Sequence, residues 1–178
     1  MDKKDDMGKR LRVLNVEDSE ADVDLLNLHL THAGYEIESE RVETSETMIA
    51  ALKAKEWDII LCDYSMPHFN ALLALEVLRG SGLDIPFIII SGTVGEEIAV
   101  EAMLTGAHDY LSKDNLTRLV PAVERELKEA TNRRQLRWEG EERRVSEARY
   151  RTLFEYAPDG IIISGPDNYY LDANASMC

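Results

Sequence analysis

Short apolar runs alternate with amphipathic stretches from Leu11 to Ser112, and this alternation constrains the fold more than any other feature of the chain. The runs are Leu11–Val16, Tyr35–Val42, Trp57–Cys62, Pro86–Ile90 and His108–Ser112. Between them lie helical patterns: one capped by Ser19, Ser45–Lys55, Ala71–Arg79 and Glu96–Thr105. The first helix has Asp22 in its opening turn, buries Val23, Leu26 and Leu30 on one face and stops at Gly34. Gly80-Ser81-Gly82 and Gly106 end two later helices. Phe87-Ile88-Ile89-Ile90 is unbroken, as a strand covered on both faces requires, whereas Tyr35–Val42 alternates like an edge strand. A repeated βα unit predicts an α/β fold, a parallel sheet with helices on both faces.

In a parallel sheet every strand end of one kind lies on one rim, and ligands gather outside the carboxyl ends. Polar groups stand at four of those ends: Glu17-Asp18 after the first strand, Asp63 after the third, Ser91 after the fourth and Lys113 after the fifth. Taken singly each has a plain reading. Acids suit helix N-termini, an aspartate suits a turn, Ser91-Gly92 suits a loop and a lysine suits the surface. Their joint occurrence in order argues for a site. Three converging carboxylates repel and raise one another's pKa. A divalent cation relieves that, and oxygen ligands select Mg²⁺ or a similar ion. The chemistry this set suits is phosphoryl transfer, with Asp63 as nucleophile, Lys113 as a point charge and Ser91 as a hydrogen-bond donor.

With these residues in place, the chain resembles the response-regulator receiver family over about residues 10–123. The motifs are Glu17-Asp18, Asp63 with Met66-Pro67, Ser91, Tyr110 three residues before Lys113, and Gly106-Ala107 before the last strand. The resemblance implies a flavodoxin-like (βα)5 fold with strand order 2-1-3-4-5. It implies that Asp63 is the phosphoacceptor in a two-component phosphorelay. It also implies Mg²⁺ held by Glu17, Asp18, Asp63 and the backbone carbonyl of Ser65. Ser91 would move toward the phosphoryl group and Tyr110 would follow inward, changing the face of the fourth helix, fifth strand and final helix. A histidine kinase or phosphotransfer protein would be the donor. The chain departs from the family pattern at Asp114, where most members have proline, and at Ala71, which replaces the usual glycine. Ser65 and Thr93 fall where the family tunes the phosphate's lifetime.

Past Lys113 the character changes. Asp114–Thr117 reads as a turn and Pro121 suits the first turn of a helix reaching about Tyr150. Glu124–Lys128, Glu129–Arg133, Glu139–Arg143 and Glu147–Arg151 are i,i+4 pairs in the favourable order. A thin apolar seam (Val120, Val123, Leu127, Trp138, Val145, Ala148) is consistent with a solvated connector or a weak coiled coil, and the expected homodimer would use this helix together with the fourth-helix and fifth-strand face. From Tyr150 to Ile163, with Asn174-Ala175, the chain resembles the opening of a PAS sensory domain. The expected organisation is therefore a receiver at 10–120, a helical linker at 121–150 and an N-terminal PAS fragment at 151–178. About thirty residues cannot bury a PAS sheet. The tail is therefore expected to be poorly ordered alone and the chain a piece of a longer protein.

Composition narrows the alternatives. The net charge is −14, and residues 1–123 hold 23 acids against 11 bases. That argues against nonspecific nucleic-acid binding and against docking on anionic membrane. No stretch has the roughly 20 apolar residues of a membrane helix. The two cysteines, Cys62 and Cys178, make no disulfide framework, which fits a reducing cytoplasm. His29, His32, His68 and His108 are scattered and no glycine-rich ATP loop is present, so the segment itself is not expected to be an enzyme, while a longer parent protein could still be a histidine kinase or carry another output enzyme. Two competitors remain. One is a receiver-like interaction module that is never phosphorylated. The other is an aspartate-nucleophile phosphatase, which would need an acid where Ser65 stands.

Overall fold

The computed structural model describes residues 9–92, 96–164, 166 and 170–177. It divides into two units, the first ending at Thr131 and the second beginning at Asn132.

In the first unit, β1 (Lys9–Val16), β2 (Tyr35–Val42), β3 (Ile59–Asp63), β4 (Phe87–Ser91) and β5 (Asp109–Ser112) form one parallel sheet in the order β2-β1-β3-β4-β5. The connecting helices are α1 (Glu20–His32), α2 (Ser45–Ala54), α3 (Ala71–Ser81) and α4 (Glu96–Thr105). This is the flavodoxin-like arrangement, with β2 at one edge as its alternating pattern requires. Every residue of β3 and β4 is buried. Side chains alternate across the sheet, so each central strand feeds two cores. Leu14, Val16, Ile60, Cys62, Phe87 and Ile89 pack with Met48 and Leu52 of α2 and Leu75 and Leu78 of α3. Leu11, Val13, Ile59, Leu61, Ile88 and Ile90 pack with Leu26 and Leu30 of α1 and with Leu119 and Val123. Each fully buried leucine or isoleucine contributes on the order of 2 kcal/mol.

The helix starts are capped as their residues dictate. Ser19 Oγ accepts from Asp22 N–H at 3.3 Å, Thr44 and Thr47 form a capping box, and Asn70 Oδ1 accepts from Leu73 N–H at 3.0 Å. Ala71, where the family pattern has glycine, is fully buried at the start of α3.

After β5 the expected turn is a 3-10 segment, Lys113–Arg118, followed by α5 (Leu119–Glu155). Ser112 Oγ accepts from the Asp114 N–H at 3.2 Å. A proline at this position has no N–H to give, so this bond depends on the departure at Asp114. Pro121 lies in the first turn of α5, as expected.

The second unit contains the rest of α5, which continues five residues past the expected end at Tyr150. Tyr150 and Phe154 therefore lie on one helix and stack, with ring centroids 5.7 Å apart. Of the expected charge pairs, Glu147–Arg151 closes at 3.5 Å, and Glu141–Arg144 forms a further pair at 2.7 Å. β6 (Ile162–Ser164) and β7 (Tyr170–Ala173) make an antiparallel pair. Asn174, fully buried, fixes it to the helix end: its Nδ2 donates to the carbonyls of Phe154 (3.0 Å) and Asp159 (2.9 Å), and its Oδ1 accepts from Ile161 N–H (2.7 Å). Among the described residues, no helix is long and apolar enough to cross a membrane.

Candidate functional site

The carboxyl rim of the sheet brings the predicted residues together. Glu17 follows β1 directly and is 2 % exposed, and its N–H is bonded to the Val42 carbonyl at 3.1 Å. Asp63 is the last residue of β3 and is 8 % exposed. Asp18 is exposed beside them. One carboxylate oxygen from each of these three residues lies within 4.8 Å of the other two. Ser91 ends β4 fully buried, in register with Ser112. Lys113 follows β5 and reaches back over the acids, its Nζ donating to Asp63 Oδ2 at 3.1 Å and Glu17 Oε2 at 2.9 Å.

Electrostatics follow from this crowding. Burial is the main cause that pushes the Glu17 carboxyl above the usual carboxylate range. The nearby Asp63 charge adds to it, against Lys113 and the Ser19 N–H, which pull the other way. Burial lowers the Lys113 ammonium, but its bonds to Asp22, Glu17 and Asp63 outweigh that and hold it above an ordinary lysine. Cys62, fully buried next to Asp63, has its thiol pushed well up, first by burial and then by the Asp63 and Glu17 charges.

The donor set fits a hard divalent cation. The three groups are oxygen ligands within bridging reach, and a buried carboxylate that resists ionisation gains from a cation placed against it. Ser65, two residues beyond Asp63, is exposed, and its N–H donates to Asp63 Oδ1 at 3.3 Å. Tyr110 is half-buried on β5 and packs beside Tyr64 against the core under α2 and α3. Thr93 lies outside the described residues.

The sequence pattern does not assign two further residues to this site. Arg41, on edge strand β2, donates to the carbonyls of Glu17 (3.3 Å) and Asp18 (3.2 Å), so it shapes the loop that carries both acids. Asp22 pairs with Lys113. Its position in the first turn of α1 reads as a helix-dipole acid, and only the fold shows that the same turn faces the lysine.

A five-stranded parallel sheet in this order, with an acidic trio at its carboxyl rim and a lysine bridging two of the three acids, defines a flavodoxin-like module with a charged site at its carboxyl rim. Residues 13–124 match the family model described as response regulator receiver domain. The chain belongs to the response-regulator receiver family of two-component systems. It is 31 % identical over 122 residues to the cell cycle response regulator CtrA of Brucella ovis, a match covering 66 % of this chain and 52 % of that protein. It is 28 % identical over 103 residues to the cell cycle transcriptional regulator CtrA of Caulobacter vibrioides, covering 58 % and 44 %. The match thus spans about half the length of these curated relatives. Among solved structures, FixJ-N is similar with a TM-score of 0.58 at 28 % identity, covering 66 % of this chain and 94 % of its own. The response regulator StyR is similar with a TM-score of 0.61 at 25 % identity, covering 75 % and 67 %.

Proposed function

We propose that Asp63 accepts a phosphoryl group from a phosphohistidine on a histidine kinase or phosphotransfer protein. The observation that carries this reading is the bridge from Lys113 to Asp63 and Glu17 above a trio of carboxylates that a divalent cation could share. An Asp63 carboxylate oxygen attacks phosphorus, the P–N bond breaks, and the imidazole leaves with its electron pair, giving an acyl phosphate. Mg²⁺, held by Glu17, Asp18, Asp63 and the Ser65 carbonyl, supplies positive charge to the phosphoryl oxygens when bound. Lys113 provides a fixed cation for one oxygen, and Ser91 a hydroxyl donor for another.

The new charge, about −1.5 to −2, draws Ser91 toward the phosphoryl group and Tyr110 inward, changing the α4–β5–α5 face. Val100, Met103 and Leu104 of α4 are exposed apolar residues on the described part of that face, which supports its use as a contact surface in a homodimer. The signal then passes into α5. Trp138 and Val145, seven residues apart and both exposed, support helix pairing there. The stretch from Tyr150 onward is read as the entry to a PAS-type sensory region, and the site of action as the cytoplasm. In this reading the segment is a signal receiver and not an enzyme, and its partners include neither nucleic acid nor membrane.

Calorimetric titration with beryllofluoride, a phosphoryl mimic, tests the proposal. The wild type should bind it only when Mg²⁺ is present, and Asp63→Asn should not bind it. Binding without Mg²⁺, or equal binding by Asp63→Asn, would overturn the reading.

A further inference from the structure

Asp22 is a fourth carboxylate at this rim, outside the trio that a cation could share. It makes the closest of three contacts on the Lys113 ammonium, nearer than Glu17 at 2.9 Å and Asp63 at 3.1 Å. Its side chain is 38 % exposed, against 3 % for Glu17 and 10 % for Asp63, so it stands at the mouth of the site while they lie deeper. The backbone holds it there. Its N–H donates to the Ser19 cap, and Val23 and Leu26, which follow it, are buried against the sheet.

We propose that Asp22 is a positioning residue that holds Lys113 back and so sets how readily the site takes up a phosphoryl anion. The inference rests on the reading of Asp63 as phosphoacceptor. An ammonium has three N–H donors, and on Lys113 all three are engaged by Asp22, Glu17 and Asp63. An arriving phosphoryl oxygen must displace one of them. Glu17 is buried and Asp63 is the reacting group, so Asp22, the most exposed, is the partner that gives way at least cost. Its negative charge also stands where an anionic donor approaches.

That charge has opposite effects on the two ligands. Removing it favours the anion and does nothing to favour the cation. Simple damage to the first turn of α1 would weaken both.

The test uses the full chain, with calorimetry of Mg²⁺ alone and then of beryllofluoride at saturating Mg²⁺. Asp22→Asn should bind beryllofluoride about three- to fivefold tighter than wild type and Mg²⁺ no tighter. Asp22→Glu, which restores the carboxylate, should behave like wild type. In EDTA, Asp22→Asn should destabilise the wild-type background, where it breaks the pair with Lys113, and change a Lys113→Met background little; equal destabilisation in both would overturn the inference. Unchanged or weaker beryllofluoride binding by Asp22→Asn, with normal wild-type binding, would overturn this inference alone. A wild type that binds neither ligand would overturn the phosphoacceptor reading and this inference with it.

Discussion

Lys113 Nζ lies 3.1 Å from Asp63 Oδ2, across fifty positions of sequence, because β3 and β5 flank β4 and end on one rim. The contact joins the proposed nucleophile to a cation placed to steady its product. The same ammonium also pairs with Glu17, so Lys113 offsets charge on two of the three acids.

Lys113→Ala should therefore separate the two ligands. Beryllofluoride binding should weaken about ten- to a hundredfold, the loss expected for one part-buried charge-assisted bond. Mg²⁺ binding should hold or tighten, since a competing cation is gone. Calorimetry of both ligands on the variant checks this.

Glu17 sets a pH dependence. Its folded pKa is raised, chiefly by burial. Its contribution to stability is therefore fully present below the ordinary glutamate pKa and is lost as pH rises through the raised value. The ionised, metal-free site is the strained one, and a cation relieves it. The rise in melting temperature produced by Mg²⁺ should be larger at about pH 7.5 than at about pH 5, and Glu17→Gln should flatten that difference. Lys113, raised above an ordinary lysine, keeps its contribution across this range and loses it only in strong alkali.

The Cys62 thiol is fully buried and its pKa is raised, so the neutral form is the one the fold favours. In a Cys178→Ser background it should react with a disulfide reagent at about pH 8 only in step with unfolding. Fast labelling of the native protein would contradict its placement in β3.

Gly106 ends α4 at φ 97°, and a Cβ there would lie 2.5 Å from Arg79 Nη2, whose guanidinium caps the Thr105 carbonyl. Gly106→Ala combines a left-handed backbone with a displaced cap. It should lower unfolding free energy by about 1–2 kcal/mol in a urea titration.

How much of this was legible in the sequence depended on burial. β3 and β4 read clearly because apolar residues fill both of their faces, and a parallel sheet then places Glu17, Asp63, Ser91 and Lys113 on one rim without further information. The charged residues that surround the site did not read. Arg41 and Asp22 lie on the outer parts of β2 and α1, where charge is ordinary, and only strand register and the first turn of the helix bring Arg41 to the Glu17 and Asp18 carbonyls and Asp22 to Lys113. The end of α5 was also hidden: the four-residue spacing of Tyr150 and Phe154 suits a helix, and there they stack, five residues past the expected end.

The most direct test of the central claim is the intact mass of the protein after incubation with acetyl phosphate and Mg²⁺. The wild type should gain one phosphoryl group, labile as an acyl phosphate, and Asp63→Asn should gain none. An equal gain by Asp63→Asn, or no gain by a folded wild type that binds Mg²⁺, would contradict the assignment of Asp63 as the phosphoacceptor.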